Sequence, residues 1–458
     1  MASSRKSKLS SLPIRVEEIL RGQIKPGNHL IVALSGGMDS VVLIDLLSKL
    51  SAKMQFTLSA VHIDHGISAN SNGWAQFSRK LCRSLGIPLK TTKLKLKRGP
   101  GVNLESLARD ARYQVFSSLR ADYVVLAQHL DDQAETLLLQ LLRGSGARGL
   151  SAMPMVRSQP TGIGNHALPP SPRILRPLLE IPQSEIESYA EEHQLSWVTD
   201  ESNADTSFDR NFLRHEILPI LGERFPSYRT TFLRTSRHLS EASSMMDELA
   251  ESDSERCTLS GKIQVEGLRT LTLPRAKNLL RYTLGEMGAI LPSTLKLDEI
   301  LRQLLSSGPS TKLHLTFGMT EIRCFKGAIH IRPLSAVADT EWQLSWNGEK
   351  KLIIPELGGT ISFSRRKSTG ISLSKLMAEE SITIRPRRGG ERLCPDRNRP
   401  RRSLKNLLQE ASLPPWERSI LPLLFGGKSL VWAPGIGIDC DFQVTAGEMG
   451  LVVQWDRE

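Results

Sequence analysis

The sequence predicts an α/β protein in which a parallel-sheet domain is followed by a mostly helical middle domain and a β-rich α+β C-terminal domain. Residues 14–150 alternate strand-like and helix-like segments at short intervals, as in a parallel sheet wrapped by helices. Residues 216–310 have a mostly helical pattern, and residues 342–458 are rich in strand-like segments. Since 458 residues exceed what one core holds, we predict domains at 1–218, 219–340 and 341–458.

The elements of the first domain follow in order along the chain. The predicted strands are His29–Leu34, Thr57–Ile63, Leu89–Lys95 and Tyr123–Ala127, and the predicted helices are Ser40–Ser51, Ser71–Leu85, Leu104–Leu119 and Gln133–Arg143. Ser35, Asp64 and His129 each follow a predicted strand. Because ligands of such sheets bind beyond the carboxyl ends of the strands, we expect these three residues to line one crevice.

Two further elements are predicted beyond the first domain. Leu313–Leu315 and Ile329–Ile331 alternate apolar and polar residues and are expected to pair as a hairpin. A helix is expected near Ser403–Glu410.

The charge and cysteine content narrow the class of protein. The formal net charge is +12, with 60 basic and 48 acidic residues, which favours a polyanionic partner. No apolar run approaches the length of a membrane span. The five cysteines form no C-x-x-C pair, which argues against a zinc knuckle, an iron–sulfur cluster or a disulfide framework and predicts a reducing, cytoplasmic setting. The oligomeric state is left open, a homodimer included.

The most informative stretch is the end of the first strand, which runs into Ser35-Gly36-Gly37-Met38-Asp39-Ser40. A strand that turns through two glycines into a helix aims backbone N–H groups and the positive end of the helix dipole at one point, where phosphate binds readily. The alternative is an ordinary strand–turn–helix joint with polar caps. Asp39 favours the first interpretation, because a carboxylate beside triphosphate needs a divalent cation between them, which suggests Mg²⁺.

A cluster of acids follows the fourth strand, in Gln128-His129-Leu130-Asp131-Asp132-Gln133-Ala134-Glu135. In a helix that starts near Asp131, Asp132 and Glu135 lie on neighbouring faces. A capped helix start explains one acid comfortably and explains three acids and a histidine less well. Such a cluster beside a nucleotide suits an amine substrate or Mg²⁺, and coordination of a metal by His129 is a further option. For Asp64 the simpler alternative is a polar cap at the strand end.

Two groups of basic residues are candidates for binding anions. Glu105, Arg109 and Arg112 share one face of a predicted helix, and spacing does not distinguish helix salt bridges from arginines that meet phosphate or a nucleobase. Residues 385–405 carry nine Arg or Lys against two acids, interleaved with Pro and Gly. This segment is either a solvated basic loop or a surface that follows a phosphate backbone.

The turn at Ser35–Ser40 resembles the Ser-Gly-Gly-x-Asp-Ser loop of the PP-loop ATP pyrophosphatases, and no Walker A ending is present. Together with Arg143–Leu150, Asn211–Glu216 and residues 384–392, 403–410, 414–418 and 433–436, it resembles the tRNA(Ile)-lysidine synthase family. The resemblance runs in the same order from about residue 28 to 220 and resumes at 385–439.

That resemblance implies a two-step reaction on the wobble cytidine of a CAU-anticodon tRNA(Ile). The C2 oxygen attacks the α-phosphate of ATP and releases pyrophosphate, and free L-lysine then displaces AMP, with Mg²⁺ neutralising phosphate charge. It also implies roles for particular residues. Nucleotide binding falls to Ser35, Gly36, Gly37, Met38, Asp39, Ser40, Asp64 and His129, metal binding to Asp39, catalysis to Asp39, Arg112, Asp132 and Glu135, and tRNA binding to Arg214, Arg385, Arg387, Arg388 and Arg392.

Other functions compete with this interpretation. A tRNA-thiolating PP-loop enzyme would need reactive paired cysteines, and an amidotransferase-type synthetase often carries a glutaminase nucleophile. Neither is found in the sequence. A non-catalytic RNA-binding relative is the remaining alternative, and the intact Ser35–Ser40 loop argues against it.

Overall fold

The computed structural model describes residues 11–64, 66, 70–94, 104–158, 171–308, 313–334 and 342–457. Contacts divide them into two compact units, the first ending at Asp253 and the second beginning at Ser254. The division falls within one helix, Tyr228–Cys257. The three-domain division at residues 218 and 340 stays a prediction. No helix of the described residues is long and apolar enough to cross a membrane.

The first unit is a six-stranded sheet with helices on both faces. Its strands are β1 (His29–Ala33), β2 (Thr57–Asp64), β3 (Leu89–Lys93), β4 (Tyr123–Val125), β5 (Val156–Arg157) and β6 (Arg173–Leu175). Its helices are α1 (Leu12–Arg21), α2 (Met38–Met54), α3 (Ser71–Ser84), α4 (Leu104–Ser117), α5 (Leu130–Leu142), α6 (Ala147–Leu150), α7 (Gln183–Glu192), α8 (Asp209–Phe212), α9 (Leu218–Arg224) and α10 (Tyr228–Cys257). A 3₁₀ helix spans Glu201–Ala204 and a π-helix spans Leu213–Ile217.

The strand order is β3-β2-β1-β4-β6-β5, and every pair is parallel except β5 with β6. From β1 the chain builds β2 and β3 on one side and then crosses to β4 on the other. This reversal leaves a crevice between the carboxyl ends of β1 and β4, the usual ligand site of such sheets. The predicted crevice after the strands therefore has a topological reason.

Alternating side chains of β1 cover the two faces of the sheet. Leu30 and Val32 belong to a large core with α1, α2 and α7, whereas Ile31 belongs to a smaller core with Phe116 and Leu119 from the chain around the end of α4. Burial on both faces explains the continuous apolar strands of the sequence. The strand and helix predictions of this unit are confirmed within a few residues, and α2 and α5 begin two and three residues earlier than expected. Lys95, the predicted end of the third strand, lies outside the described residues.

The second unit opens with short helices and a three-stranded antiparallel sheet. The elements are β7 (Thr258–Leu259), β8 (Lys262–Ile263), α11 (Val265–Thr270), α12 (Leu273–Glu286), α13 (Thr294–Ser306), β9 (His314–Phe317), β10 (Thr320–Phe325) and β11 (Ala328–Pro333). The predicted hairpin was wrong, because β10 lies between its two strands. Ile322 of β10 is opposite Leu315 on one side and Ile331 on the other.

The rest of the second unit is β-rich. Its strands are β12 (Leu344–Ser345), β13 (Lys351–Ile354), β14 (Gly359–Lys367), β15 (Ile371–Ser372), β16 (Ile382–Arg385), β17 (Arg392–Leu393), β18 (Arg402–Ser403), β19 (Leu423–Gly426), β20 (Ser429–Ala433), β21 (Gly437–Ile438) and β22 (Met449–Arg457), and its helices are α14 (Leu373–Met377), α15 (Leu404–Glu410) and α16 (Pro415–Arg418). Two sheets have the orders β12-β16-β19-β20-β21 and β13-β14-β22-β15. The helix predicted near Ser403–Glu410 is confirmed as α15, with Ser403 as its N-cap.

Candidate active site

The turn between β1 and α2 is braced by two serine hydroxyls. Ser40 Oγ donates to the Gly37 carbonyl at 2.9 Å and accepts the Gly36 N–H at 3.2 Å. Ser35 Oγ accepts the Gly37 N–H at 3.2 Å and lies 3.0 Å from Ser40 Oγ. The two glycine amides are therefore bound within the turn, and the hydroxyls fix its shape.

Position 36 requires glycine for two reasons, its backbone conformation and the close approach of a neighbouring side chain. Its φ of +95° is in the left-handed region that favours glycine. A Cβ there would lie 2.9 Å from Cγ2 of Val198, whose N–H donates to the Gly36 carbonyl at 3.0 Å. The segment that follows α7 thus packs on the turn, a contact that no signal in the sequence revealed.

The first turn of α2 supplies the donors that an anion needs. Among the hydrogen bonds of the described residues, the amides of Met38, Asp39 and Ser40 have no acceptor, and the helical bonds begin with the Val41 N–H to the Gly37 carbonyl at 3.1 Å. Three open N–H groups at the positive end of a 17-residue helix form a favourable place for phosphate. The open donors therefore begin at Met38, directly after the two glycines, and phosphate binding by the loop stays a prediction.

The loop meets the chain after β4 across the crevice. Asp39 Oδ2 lies 3.7 Å from His129 Nε2, and Asp132 Oδ2 lies 3.6 Å from the same nitrogen. Burial raises the pKa of Asp39, with the positive charge of a protonated His129 opposing and the negative charge of Asp132 adding to the rise. Two distant parts of the sequence, the loop after β1 and the start of α5, therefore meet here. Of the three residues expected to line the crevice, His129 lies at this meeting point, whereas the contacts of Asp64 are with Gly66 and Lys93.

The donor set around Asp39 fits a hard divalent cation. Asp39 Oδ1 and His129 Nδ1 are buried and have no hydrogen-bond partner, and a buried carboxylate oxygen without a donor is costly unless a cation or ligand meets it. The protein supplies few ligands here, which suits Mg²⁺, because it is usually held by one or two carboxylates, substrate phosphates and water. Among the described residues, the metal-ligating atoms that lie close enough to share an ion belong to Asp439, Cys440 and Asp441.

Asp132 and Glu135 are held by two arginines from α8 and the π-helix. Glu135 accepts from Arg210 Nε at 2.6 Å and from Arg214 Nε at 2.5 Å. Asp132 Oδ1 lies 3.2 Å from Arg210 Nη2 and 3.1 Å from Arg214 Nη2. We call Asp132, Glu135, Arg210 and Arg214 the ion-pair cluster. It contains two negative and two positive charges, and the Glu135 side chain is only 1% exposed.

The electrostatics of the ion-pair cluster favour the charged forms of Asp132, Arg210 and Arg214. Burial opposes the charge of Asp132, but His129, Arg210 and Arg214 outweigh it and lower the pKa of this carboxyl. The same acids raise the pKa of both guanidinium groups despite their burial. Asp132 also accepts the His129 N–H at 3.0 Å, so the capped helix start that competed with a functional interpretation is present together with the ion pairs.

Sequence reasoning missed Arg210 and explained Asp131 incompletely. Arg210 and Arg214 are four residues apart, a spacing that places both on one side of a helix and could have signalled a shared partner. The backbone between them changes from α to π geometry at Leu213, a type of irregularity frequent at functional sites. Asp131 has a supporting role, because it accepts the Gln183 N–H at 3.0 Å and pairs with Arg229.

Two other predicted site residues lie apart from these contacts. Asp64 ends β2, its Oδ1 accepts the Gly66 N–H at 2.8 Å, and Oδ2 lies 3.9 Å from Lys93 Nζ. This geometry fits the alternative interpretation of Asp64, a polar cap at the end of the strand. Arg112 is exposed on α4. Their assigned roles stay predictions.

The basic segment of the second unit is organised by one buried acid. Glu391 accepts the Arg388 N–H at 2.6 Å and the Gly389 N–H at 2.9 Å, and lies 3.5 Å from Arg387 Nε. The Arg385 guanidinium lies 3.7 Å from the centroid of the Phe425 ring. Arg388 and Arg392 are exposed, whereas Arg385 and Arg387 are half-buried.

Family models match three parts of the chain. Residues 9–221 match a PP-loop domain, residues 263–330 a TilS substrate binding domain, and residues 382–455 a TilS substrate C-terminal domain. A tRNA(Ile)-lysidine synthase of Nitrosomonas europaea is 52% identical over 95% of this chain and 93% of its own length. The chain belongs to the tRNA(Ile)-lysidine synthase family.

Relatives of that name from other organisms agree. The tRNA(Ile)-lysidine synthase of Azoarcus sp. is 39% identical over 96% of this chain and 94% of its own length, and that of Coxiella burnetii is 34% identical over 93% of each. The family resemblance predicted from the motifs is confirmed, and so is the fold class of a PP-loop domain followed by a helical middle and a β-rich C-terminal part.

The competing thiolation chemistry finds no support in the cysteine of the first unit. Cys82 is the one cysteine of the first 253 residues, and it is buried on α3, where burial raises its pKa to about 11. A thiol with so high a pKa is a poor nucleophile at neutral pH. The side chains that meet in the crevice are carboxylates, a histidine and arginines.

Proposed function

We propose that this ligase forms lysidine on tRNA(Ile) by joining free L-lysine to C2 of the wobble cytidine of the CAU anticodon, through an adenylated cytidine, with ATP converted to AMP and pyrophosphate. Family membership supports ATP use and action on tRNA(Ile). The observation that carries the site assignment is the meeting of the open first turn of α2 with Asp39, His129 and Asp132 between β1 and β4.

In the first step the chain binds and orients ATP. The amides of Met38, Asp39 and Ser40 and the dipole of α2 bind phosphate oxygens, while the hydroxyls of Ser35 and Ser40 keep the turn rigid. Asp39 holds Mg²⁺, which when bound neutralises charge that builds on the phosphates. The cytidine C2 oxygen then displaces pyrophosphate from the α-phosphate, and C2 gains a good leaving group.

In the second step the ion-pair cluster binds lysine. A lysine zwitterion carries both signs of charge, and the cluster offers carboxylates from Asp132 and Glu135 beside guanidinium groups from Arg210 and Arg214. One acid holds an ammonium group of lysine, and a carboxylate near the ε-amine accepts its proton as it attacks C2. The arginines lower the pKa of the Asp132 carboxyl and so keep it ionised, which proton acceptance by this group requires.

Binding of the tRNA involves the second unit. We assign catalysis to residues 1–218 and tRNA binding mainly to residues 341–458, with 219–340 between them. In the C-terminal part, Arg388 and Arg392 are exposed for phosphate contacts, and Arg385 and Arg387 shape the segment through Phe425 and Glu391. Arg112 and Arg214 are proposed to meet phosphate or the unstacked base when the RNA is bound.

The direct test is turnover by the purified full-length protein with ATP, lysine and unmodified tRNA(Ile) transcript. AMP and pyrophosphate are expected in equal amounts, and only when the wobble position is C. The matched control is the same transcript with U at that position. Equal AMP release from both transcripts, or none from either, would contradict the assignment.

A further inference from the structure

A cluster of three arginines surrounds Tyr113 on the far side of β4 from the ATP loop. Arg176, directly after β6, donates from Nη2 to the Tyr113 hydroxyl at 3.3 Å. The guanidinium carbons of Arg109 on α4 and Arg157 at the end of β5 lie 5.5 Å and 5.6 Å from the centroid of the Tyr113 ring. We call Tyr113, Arg109, Arg157 and Arg176 the tyrosine–arginine cluster.

Within the part of the chain that the structure describes, no acid neutralises the positive charge of this cluster. Among the described residues, no carboxylate lies within ion-pair distance of the guanidinium groups of Arg109, Arg157 or Arg176. Arg176 is 1% exposed, and it also donates to neutral oxygens of Gln128 and Pro154. A buried cation is costly without an anion, so the structure holds an unmatched charge.

The three guanidinium groups act on one another and on the phenol. Burial and the repulsion from Arg157 and Arg109 lower the pKa of Arg176, and Tyr113 opposes that effect. The three arginines outweigh burial and lower the pKa of the Tyr113 hydroxyl. Like charges gathered at one point favour an anionic ligand, because such a ligand removes their repulsion.

The position of the cluster limits which anion it can take. Arg176 bonds to Gln128, which immediately precedes His129 of the crevice, so the cluster adjoins the reaction site. It follows β6 and β5, and β6 is two strand positions, about 10 Å, from β1 and its phosphate-binding turn. Arg109 and Arg157 are exposed. The anion must therefore lie next to the reaction site but outside the triphosphate of ATP. A group beside the reacting base meets both requirements.

We propose that the tyrosine–arginine cluster is an anion site that binds a phosphodiester group of the substrate RNA next to the nucleotide whose base reacts. The inference rests on the proposed function for the identity of the RNA. Arg176 and Tyr113 form the fixed floor of the site, and Arg109 and Arg157 close on the phosphate from the exposed side. Holding the backbone here keeps the unstacked cytidine directed at the crevice.

The test uses the full-length double variant Arg109→Gln/Arg157→Gln and filter binding of tRNA(Ile) transcript over a range of KCl concentrations. The dissociation constant is expected to rise about tenfold, as for loss of one charge-assisted phosphate contact. The salt dependence of log Kd is expected to flatten by about one unit of slope. Both residues are exposed, and removing mutually repelling charges should leave the melting temperature unchanged or higher.

The matched control is Arg120→Gln. It removes an exposed charge three residues before β4, at the amino end of that strand, and should leave the tRNA dissociation constant unchanged. Calorimetry with ATP and no RNA distinguishes the two sources of phosphate. Weaker ATP binding by the double variant with unchanged tRNA affinity would overturn the proposal, as would an unchanged tRNA affinity and salt slope. Absence of lysidine formation by the wild-type protein would instead contradict the proposed function. The tRNA-binding measurements would still test the anion site, because they do not depend on turnover.

Discussion

Replacing Glu135 by glutamine tests the ion-pair cluster with little change in side-chain volume. The carboxylate of Glu135 is 1% exposed and accepts one guanidinium N–H each from Arg210 and Arg214. Glutamine keeps one acceptor oxygen but brings a donor group against a guanidinium and removes the negative charge. Two largely buried cations then share only Asp132, at 3.2 Å and 3.1 Å.

The size of the effect follows from these contacts. Removing one partner of a buried ion pair costs roughly 3–5 kcal/mol. Because Asp132 remains and the Arg214 side chain is 33% exposed, we expect a loss of about 2–3 kcal/mol in the free energy of unfolding of the first unit. For a unit of this size that corresponds to a melting temperature lower by about 5–10 °C.

The assay is calorimetric melting of the full-length protein, combined with the KM for lysine. Glu185→Gln is the matched control, because Glu185 pairs with Arg15 at 2.6 Å but is 36% exposed. Its loss should cost less than about 1 kcal/mol and leave the KM for lysine unchanged. Glu135→Gln should lower stability and raise that KM. If the Glu135→Gln protein had the same melting temperature as the Glu185→Gln control and an unchanged KM for lysine, the proposed role of the cluster would be refuted.

Three further variants test other parts of the account. Asp39→Asn should lower AMP formation by at least about 100-fold while tRNA binding is retained, and its melting temperature should not fall, since burial already disfavours the Asp39 carboxylate. Arg388→Gln/Arg392→Gln should weaken tRNA binding and flatten its salt dependence by about one to two units, and Arg366→Gln, also exposed, is its control. Burial and basic neighbours lower the pKa of His330 to about 4, so the second unit should lose stability as pH falls from about 6.5 to 4, where the unfolded chain takes up the proton first. His330→Phe should remove that loss in urea titrations at pH 7 and pH 5, and an identical pH dependence in both proteins would contradict this explanation.

Local chemistry made the ATP loop and its crevice predictable. The apolar strand, the two glycines and Asp39 are contiguous in the sequence, and the carboxyl-edge rule placed His129 beside them before any distance was known. The backbone groups that are open to an anion were harder to predict from the sequence. The serine hydroxyls accept from the glycine amides, and the open donors lie in the first turn of α2. This detail depends on serine rotamers, which a sequence pattern does not reveal.

Contacts between distant segments account for what the sequence did not reveal. Arg210 meets Glu135 across 75 residues, and the chain passes from α8 into a π-helix between Arg210 and Arg214. The strand β10 was missed because Glu321 and Arg323 interrupt its apolar residues, yet pairing on both sides buries Ile322. Periodicity identifies a face that must be buried, but it does not identify the partner that buries it.

The central claim is that the cytidine C2 oxygen attacks the α-phosphate of ATP held between β1 and β4. A tRNA(Ile) transcript with ¹⁸O at C2 of the wobble cytidine tests it by mass spectrometry of the released nucleotide and of the modified nucleoside. The account predicts one ¹⁸O in AMP and none in lysidine. An unlabelled AMP formed together with lysidine would show that the C2 oxygen does not take part in adenylation and would contradict the mechanism.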